Sequence, residues 1–551
     1  MNRLSALDAS FIYAETPETP MHVGSLTIFA PPADPHDLFK RFYDYTAARL
    51  DLLPSYRRRL EMTPFGIDHP AWVDEDDLDL DYHIHHAALP KPGTMNQLRA
   101  LVERLHALPL DRKRPLWQYY LIEGLEDGGF AVYTKYHHCD MDGVAGTATL
   151  DAVFDFSPDS SPVAYPTRKA TPSGAQPPDS LELTTTAFAD FVRQGFRTLR
   201  SLPNVARALA RSSGNFVRDA RYVLAYVRRT PRTRFNAAVS NHRSYGIASL
   251  SLPDVKAVAK ARNATINDIV LTVCAGALRR YLLKHQSLPD LPLTAAVPVS
   301  LRAAGDVRLN NQVVFSLCRL ATDVPRPLER LAATQVAARE SKALFADVKD
   351  LVATDFSWLG LPILLTTFFR LARNANVAWC SVVISNMPGP RQPMYCAGAA
   401  ARHHFPLSIP FHGNALNITV VSYIDHLEFG LTACRAAVPD VQLLADYLVE
   451  DFEALKHDHE ALSGPDSIEI IEIEAPAATK GPRRAKRKRA PAAKPVAANA
   501  PAATQVASLA ASLMATERPL RSIPVVAPAI KPAKSAARKK GAVRSRRGKG
   551  A

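Results

Sequence analysis

Bulky apolar residues alternate with smaller or polar ones from Phe130 to Tyr136 (FAVYTKY), a period of two that predicts a half-buried strand. Apolar residues then return at helical spacing from Val144 to Phe154 (VAGTATLDAVF), so residues 137–143 are expected to form a strand, turn, helix junction. In the second half, Ile247 to Leu252 reads as a strand stopped by Pro253, followed by a helix through Val258 that ends near Asn263. Asn267 and Asp268 open a longer predicted helix to about Leu283, with an apolar face at Ile269, Val270, Val273 and Leu278, and either residue can cap it. Further strands are predicted around Ala295–Val299, Val313–Leu320, Val382–Ser385 and Leu416–Tyr423. Strand and helix patterns interleave in both halves, which predicts an α/β (α+β) fold of two similar domains meeting at a cleft.

Breaks in the pattern divide the chain into an N-terminal domain (1–157), a bridge (158–235), a C-terminal domain (236–474) and a tail (475–551). The bridge starts with the Pro- and Ser-rich stretch Ser157 to Ser180, which reads as a linker. Two amphipathic helices are expected after it. In the first, Phe188, Phe191, Val192, Leu199 and Leu202 oppose Arg193, Arg197 and Arg200; in the second, Phe216, Val217, Val223, Leu224 and Val227 oppose Arg218, Arg221 and Arg228. Such basic amphipathic helices suit a membrane surface, and equally a bridge packed on two domains with its arginines in water.

The 551 residues and 47% hydrophobic content fit a large globular protein of more than one core. The net charge of +14 is unevenly placed. From Ala475 onward there are 19 Lys and Arg against one acid, Glu517, while the preceding residues carry 48 basic and 52 acidic side chains. The tail is built from Ala, Pro, Lys and Arg, lacks the apolar surface to offset its chain entropy, and is expected to be disordered. It suits a polyanion, either nucleic acid or anionic lipid headgroups, and composition does not choose between them.

The greasiest run, Phe356 to Phe369, is about fourteen residues long and interrupted by Pro362, short of the roughly twenty needed to span a bilayer. It reads as core or as the lining of an acyl-chain tunnel. Acids at Asp8, Glu15 and Glu18 and the absence of an apolar signal core argue against secretion. Six scattered cysteines without CxxC spacing argue against zinc and for reduced thiols in the cytoplasm.

The candidate chemistry sits at the predicted junction, His137-His138-Cys139-Asp140-Met141-Asp142-Gly143, or HHxxxDG. Neighbouring side chains on a strand point to opposite faces, so one imidazole faces the chemistry and the two do not share one metal ion. A neutral imidazole near pH 7 can take a proton from a hydroxyl or amine. Asp142, beside the turn glycine Gly143, is better placed to brace the loop. Cys139 is a nucleophile in type, but it diverges from the neighbouring imidazole along an extended chain.

HHxxxDG resembles the signature of the chloramphenicol acetyltransferase-like superfamily. Other segments resemble its bacterial wax ester synthase/diacylglycerol acyltransferase branch: Leu4-Ser5-Ala6-Leu7-Asp8, Met21-His22-Val23-Gly24, Pro115-Leu116-Trp117, Asn267-Asp268, Val297 to Arg302, Asn311-Gln312, Asn386 to Pro390 and Leu416-Asn417-Ile418. The resemblance implies two chloramphenicol acetyltransferase-like domains with the active site at their interface. It implies His138 as general base, a less settled role for His137 and a structural role for Asp142, for which we take Arg302 as the candidate partner. It also places Asn267 and Asp268 near the site, and Asn267 and the Leu416 to Ser422 stretch are candidates to stabilise the oxyanion. The implied reaction takes a long-chain acyl-CoA as co-substrate and diacylglycerol or a fatty alcohol as acceptor, with no cofactor or metal, on a membrane or lipid-droplet surface. Two other readings stand beside it: a peptide-synthesis condensation domain, and a granule-coating or nucleic-acid-binding protein working through its tail.

Overall fold

The structure, a computed structural model, describes residues 2–52, 54–63, 68–140, 146, 150–158, 229–300, 311–352 and 378–463. The first half contains β1 (Asn2–Arg3), α1 (Ala6–Ala14), β2 (His22–Phe29), α2 (Leu38–Ala47), β3 (Arg58–Glu61), β4 (Ala71–Asp74), α3 (Leu80–His83), β5 (Ile84–Ala88), α4 (Met95–Ala107), β6 (Trp117–Glu123) and β7 (Phe130–His137). The second contains β8 (Arg243–Ser251), α5 (Leu252–Ala261), α6 (Ile266–Lys284), β9 (Thr294–Ser300), β10 (Val313–Arg319), α7 (Pro327–Val352) and β11 (Val382–Met387). It continues with β12 (Tyr395–Cys396), β13 (Ala399–Leu407), β14 (Leu416–Tyr423), β15 (His426–Cys434) and α8 (Val441–Ser463).

These elements build two six-stranded mixed sheets, in the orders β12-β13-β2-β7-β6-β5 and β10-β9-β11-β14-β15-β8, with a small three-stranded sheet β1-β4-β3 beside the first. The α/β class expected from the interleaved pattern is therefore present. One strand exchange was not legible: β13, from the second half, pairs antiparallel with β2 from the first, Leu407 opposite Gly24 and Phe405 opposite Leu26.

The alternation along β7 is real, yet the strand is buried on both faces rather than half-buried. Phe130 and Val132 pack with Phe29, Phe42, Trp117 and Tyr119 on one side. Ala131 and Tyr133 pack with Leu26, Leu98, Val102 and Tyr120 on the other. Period two reports two faces, and here each has its own helical cover. The second sheet buries Val382, Ile384, Ile418, Val420, Phe429 and Leu431 against Val255, Ile269, Val273, Leu278, Leu444 and Leu448 of its helices. The four strands predicted from Ala295 to Tyr423 appear as β9, β10, β11 and β14, and the strand expected from Ile247 starts four residues earlier, at Arg243.

The long predicted helix is α6, but neither Asn267 nor Asp268 is its N-cap. Thr265 is, accepting the Asp268 amide at 3.1 Å, while Asp268 returns a carboxylate oxygen to the Thr265 amide at 2.8 Å. This reciprocal pair satisfies two orphan donors at once, which is why the cap lies two residues before Asn267. Most of the helical run Val144 to Phe154 lies outside the described residues, and the described piece Leu150–Ala152 is a 3₁₀ turn. Nearly all of the bridge, with both Arg-rich segments, and the whole of Phe356 to Phe369 and of the basic tail also lie outside them. Among the described residues no helix is long and apolar enough to cross a membrane.

The two sheets are stitched where β13 passes β15. Tyr245 on β8 donates its hydroxyl to the Pro406 carbonyl at 3.1 Å, and His403 on β13 lies 2.9 Å from the buried Glu428 on β15. Gly430 makes the crossing possible, since a Cβ there would sit 1.7 Å from the Pro406 carbonyl oxygen. Backbone cannot swing aside as a side-chain tip can. Gly430→Ala is therefore expected to lower stability by roughly 2 kcal/mol or more, read as a lower urea midpoint with the far-ultraviolet spectrum of the remaining folded protein unchanged.

Candidate active site

The sequence places two imidazoles at the end of a strand, and the structure sends them different ways. His137 is the last residue of β7, opposite His22 on β2, and is 1% exposed. His138 opens the turn at residues 138–140 and is only partly buried. His137 faces inward to hold the turn. Its Nδ1 accepts the Cys139 amide at 3.1 Å, and its Nε2 lies 3.4 Å from Oε1 of Glu15. An Nδ1 that accepts leaves a ring proton on Nε2, on the side of that carboxylate.

Glu15, just after α1, was not read as a site residue, although it gathers three partners. Oε1 also accepts the Met21 amide at 3.0 Å, and Oε2 pairs with Arg112 at 2.6 Å. Burial alone would raise its pKa; the hydrogen bond and charge of His137, with Arg112 and the Met21 amide, outweigh this and bring it down to about 2. The backbone continues the ladder: the His137 amide donates to the Leu116 carbonyl at 3.0 Å and the His138 amide to the Met21 carbonyl at 2.9 Å. Pro115-Leu116-Trp117 and Met21-His22-Val23-Gly24 thus flank the motif on either side.

The other end of α1 reaches the same turn. Ser5 caps the helix, and Asp8 accepts at Oδ1 from both the backbone amide of Asn311, at 3.0 Å, and its side-chain amide, at 2.6 Å. The same Nδ2 donates to the His138 carbonyl at 2.7 Å. Burial pushes the Asp8 carboxyl up, against the lowering effect of its bonds from Ser5 and Asn311. Between the two pinned ends, Phe11 stacks on the His138 imidazole, with ring centroids 4.3 Å apart and planes within 10°.

Asp140, an unspecified position of the motif, is buried and pairs with Arg58, whose guanidinium lies 4.3 Å above the Trp72 ring. Its amide donates to the His137 carbonyl at 3.1 Å, closing the turn. Asp142, Gly143 and Arg302 lie outside the described residues, and with them the Asp142–Arg302 pairing. Asn267 and Asp268 are on the first turn of α6, where Asp268 is committed to the cap. In the Leu416 to Ser422 stretch, the Asn417 side chain accepts from Thr419 at 2.8 Å. Cys139 is 2% exposed, burial pushes its thiol pKa well up, and all six cysteines are free and buried.

Roles for Glu15, Asp8, Phe11 and Asn311 were missed because each acts across a long sequence separation. The only signal was that three of the marked segments carry or adjoin them. Glu15 also gives a stability test. Its folded pKa lies below the ordinary value, so its contribution is fully present above about pH 4.5 and is lost as pH falls toward 2, a difference on the order of 3 kcal/mol. Glu15→Gln is expected to lower the urea midpoint at pH 7, and the gap from the parent should narrow below about pH 4.5. A gap that stays constant from pH 7 to pH 3 would show that the ionised carboxylate is not what holds the turn.

Comparison with known proteins agrees with this convergence of segments. The chain matches the wax ester synthase/diacylglycerol acyltransferase catalytic domain over residues 4–270 and the C-terminal domain of the same family over residues 309–456. It is 35% identical over 459 residues to a putative diacylglycerol O-acyltransferase of Mycobacterium bovis, covering 83% of this chain and 99% of that protein. A putative diacylglycerol O-acyltransferase of Mycobacterium tuberculosis is 36% identical over 460 residues, covering 82% and 99%. Among solved structures, the wax ester synthase/diacylglycerol acyltransferase from Marinobacter aquaeolei VT8 is 30% identical with a TM-score of 0.61, covering 84% of this chain and all of that one. The first condensation domain of the calcium-dependent antibiotic synthetase has a TM-score of 0.51 at 15% identity over 83% of this chain and 96% of that one, a likeness of fold. The chain belongs to the wax ester synthase/diacylglycerol acyltransferase family of acyltransferases.

Proposed function

We propose that the protein transfers a long-chain acyl group from acyl-CoA to the hydroxyl of diacylglycerol or a fatty alcohol, with His138 as general base. The observation that carries this reading is the contrast between the two imidazoles. His137 is buried, with Nδ1 accepting the Cys139 amide and Nε2 facing the Glu15 carboxylate, whereas His138 keeps partial exposure while its backbone is held at both amide and carbonyl. A base that is held in place yet only partly buried suits proton transfer in the plane of the ring.

In the proposed step, a ring nitrogen of His138 takes the acceptor's hydroxyl proton as the oxygen attacks the thioester carbonyl. The tetrahedral intermediate collapses with cleavage of the carbon–sulfur bond, and the departing CoA sulfur takes the proton back from the imidazolium. The products are an ester and free CoA, and the enzyme is unchanged. Buried Cys139, its thiol kept protonated, favours this direct transfer over an acyl-cysteine intermediate. Phe11 lies against two apolar clusters, one with Ile12, Leu60 and Leu116 and one with Met21, Val383 and Phe411, so the surroundings of the base suit a lipid acceptor.

Diacylglycerol is the favoured acceptor because the similar mycobacterial proteins are named for it. Incubation of the protein with labelled palmitoyl-CoA and either dioleoylglycerol or hexadecanol tests the choice by the ester formed. His138→Ala is expected to lose roughly a hundred- to ten-thousand-fold in turnover. Cys139→Ala should retain it, and an inactive but folded Cys139→Ala would overturn direct transfer. We further propose that the basic tail tethers the enzyme to an anionic surface. Deleting residues 475–551 should leave acyl transfer to dispersed substrate intact and abolish salt-sensitive binding to anionic vesicles or to DNA, whichever the full chain binds.

A further inference from the structure

Phe11 packs against the apolar clusters on either side of α1, and it also makes a contact that this packing does not explain. The helix is anchored at Asp8 through Asn311 to the His138 carbonyl, and just past its end at Glu15 through His137 to the Cys139 amide. Phe11 lies between these anchors, and its backbone carbonyl accepts the Glu15 amide at 3.1 Å. The helix thus acts as a bracket fixed at both ends to the motif turn, and the ring that it carries is pressed flat on the His138 imidazole.

The orientation of that contact has a chemical consequence. A ring nitrogen accepts a proton through a lone pair in the imidazole plane, so a neighbour stacked on the face leaves the reactive edge open while restricting rotation of the ring. When the proton arrives, positive charge spreads over the imidazole. A phenyl face at this distance carries the negative part of its quadrupole toward that charge. We propose that Phe11 is a positioning residue of the acyl transfer: it holds the plane of the His138 ring and stabilises its imidazolium form.

This inference rests on His138 being the base. The titratable groups around the turn among the described residues include Asp8 on α1, Glu15 just after it, His22 opposite His137 on β2, His137, Cys139 and Asp140 at the turn itself, and Arg58 and Arg112 paired to Asp140 and Glu15. Replacing Phe11 changes none of them. A shift in the pH dependence therefore reports the ring contact.

The experiment compares kcat/KM against pH for the full-length parent, Phe11→Leu, Phe11→Tyr, a protein with pentafluorophenylalanine in place of Phe11, and His138→Ala. Phe11→Leu keeps an apolar side chain without the π face, and is expected to lose about 5- to 30-fold in kcat/KM, with little change in KM for acyl-CoA. Its acid limb should move to lower pH by about half a unit, because the imidazolium is less stabilised. Phe11→Tyr should restore most of the rate. The pentafluoro ring conserves shape and reverses the quadrupole, so it should show the same limb shift even if Phe11→Leu fails to fold. Parent-like rates and limbs in the leucine and pentafluoro proteins would overturn the proposal, as would a loss of rate with a lowered melting temperature and an unmoved limb. Retained activity in His138→Ala would instead remove the base assignment itself, which keeps the two failures apart.

Discussion

One side-chain amide ties the two halves of this protein to the turn of the HHxxxDG motif. Asn311, just before β10 of the second sheet, donates through Nδ2 both to Asp8 at the start of α1 and to the carbonyl of His138. Asp8 is a buried carboxylate and needs those donors, because a buried charge without partners is far more costly than the same charge in water. Removing Asn311 would orphan an acceptor on each side, and hydrogen bonds to charged groups contribute about 1.5 to 3 kcal/mol each. The position of the His138 backbone relative to both sheets thus depends on a residue 173 positions away in sequence.

Adjacent histidines part company here for a geometric reason. A strand alternates its side chains, so when β7 ends at His137 one ring is delivered to the interior and the next leaves with the turn. The interior ring accepts the Cys139 amide and faces Glu15, which is itself kept ionised by its surroundings, Arg112 and the Met21 amide among them. Charge is therefore concentrated one layer behind the partly buried His138 imidazole, where it fixes geometry. Asp140 and Arg58 repeat the arrangement on the far side of the turn.

Local pattern carried most of what the sequence revealed. The strands from Ala295 onward and α6 announced themselves because their apolar periodicity is set by the face that each element buries. Capping failed by two residues because Thr265 and Asp268 act as a reciprocal pair, and only the second lay in the marked Asn267-Asp268 motif. Arg243 to Tyr245 did not read as strand, since polar residues at a sheet edge gain their partners from β15 rather than from any local pattern. The pairing of β13 with β2 was invisible for a stronger reason: Thr27 and His404 bond across 377 positions, a separation that no window of periodicity spans. Phe11, Glu15 and Asn311 share that cause. Family resemblance marked their segments as belonging together, and only the fold shows what each side chain touches.

Beneath the turn, β7 rests on a polar stack that sets the order in which acid acts on this site. Lys135 is fully buried and donates to the Leu105 and Leu108 carbonyls at the end of α4, where the helix dipole favours a donor. Burial lowers it to about 7. His106 bridges Tyr133 and the Ser408 carbonyl, and burial lowers it to about 3; His22, bonded to the His106 carbonyl at 2.8 Å, is pushed well below its ordinary value by the same cause. A base whose folded pKa is depressed takes up protons more readily when unfolded, so the fold loses stability as pH falls from the unfolded value toward the folded one. For His106 that window runs from about 6.5 to 3, whereas for Glu15 it runs from about 4.5 to 2. The imidazoles under β7 therefore begin to oppose the fold before the carboxylate behind His137 gives up its charge. Mild acid acts first on the foundation of the strand and only later on the bracket that holds the motif turn.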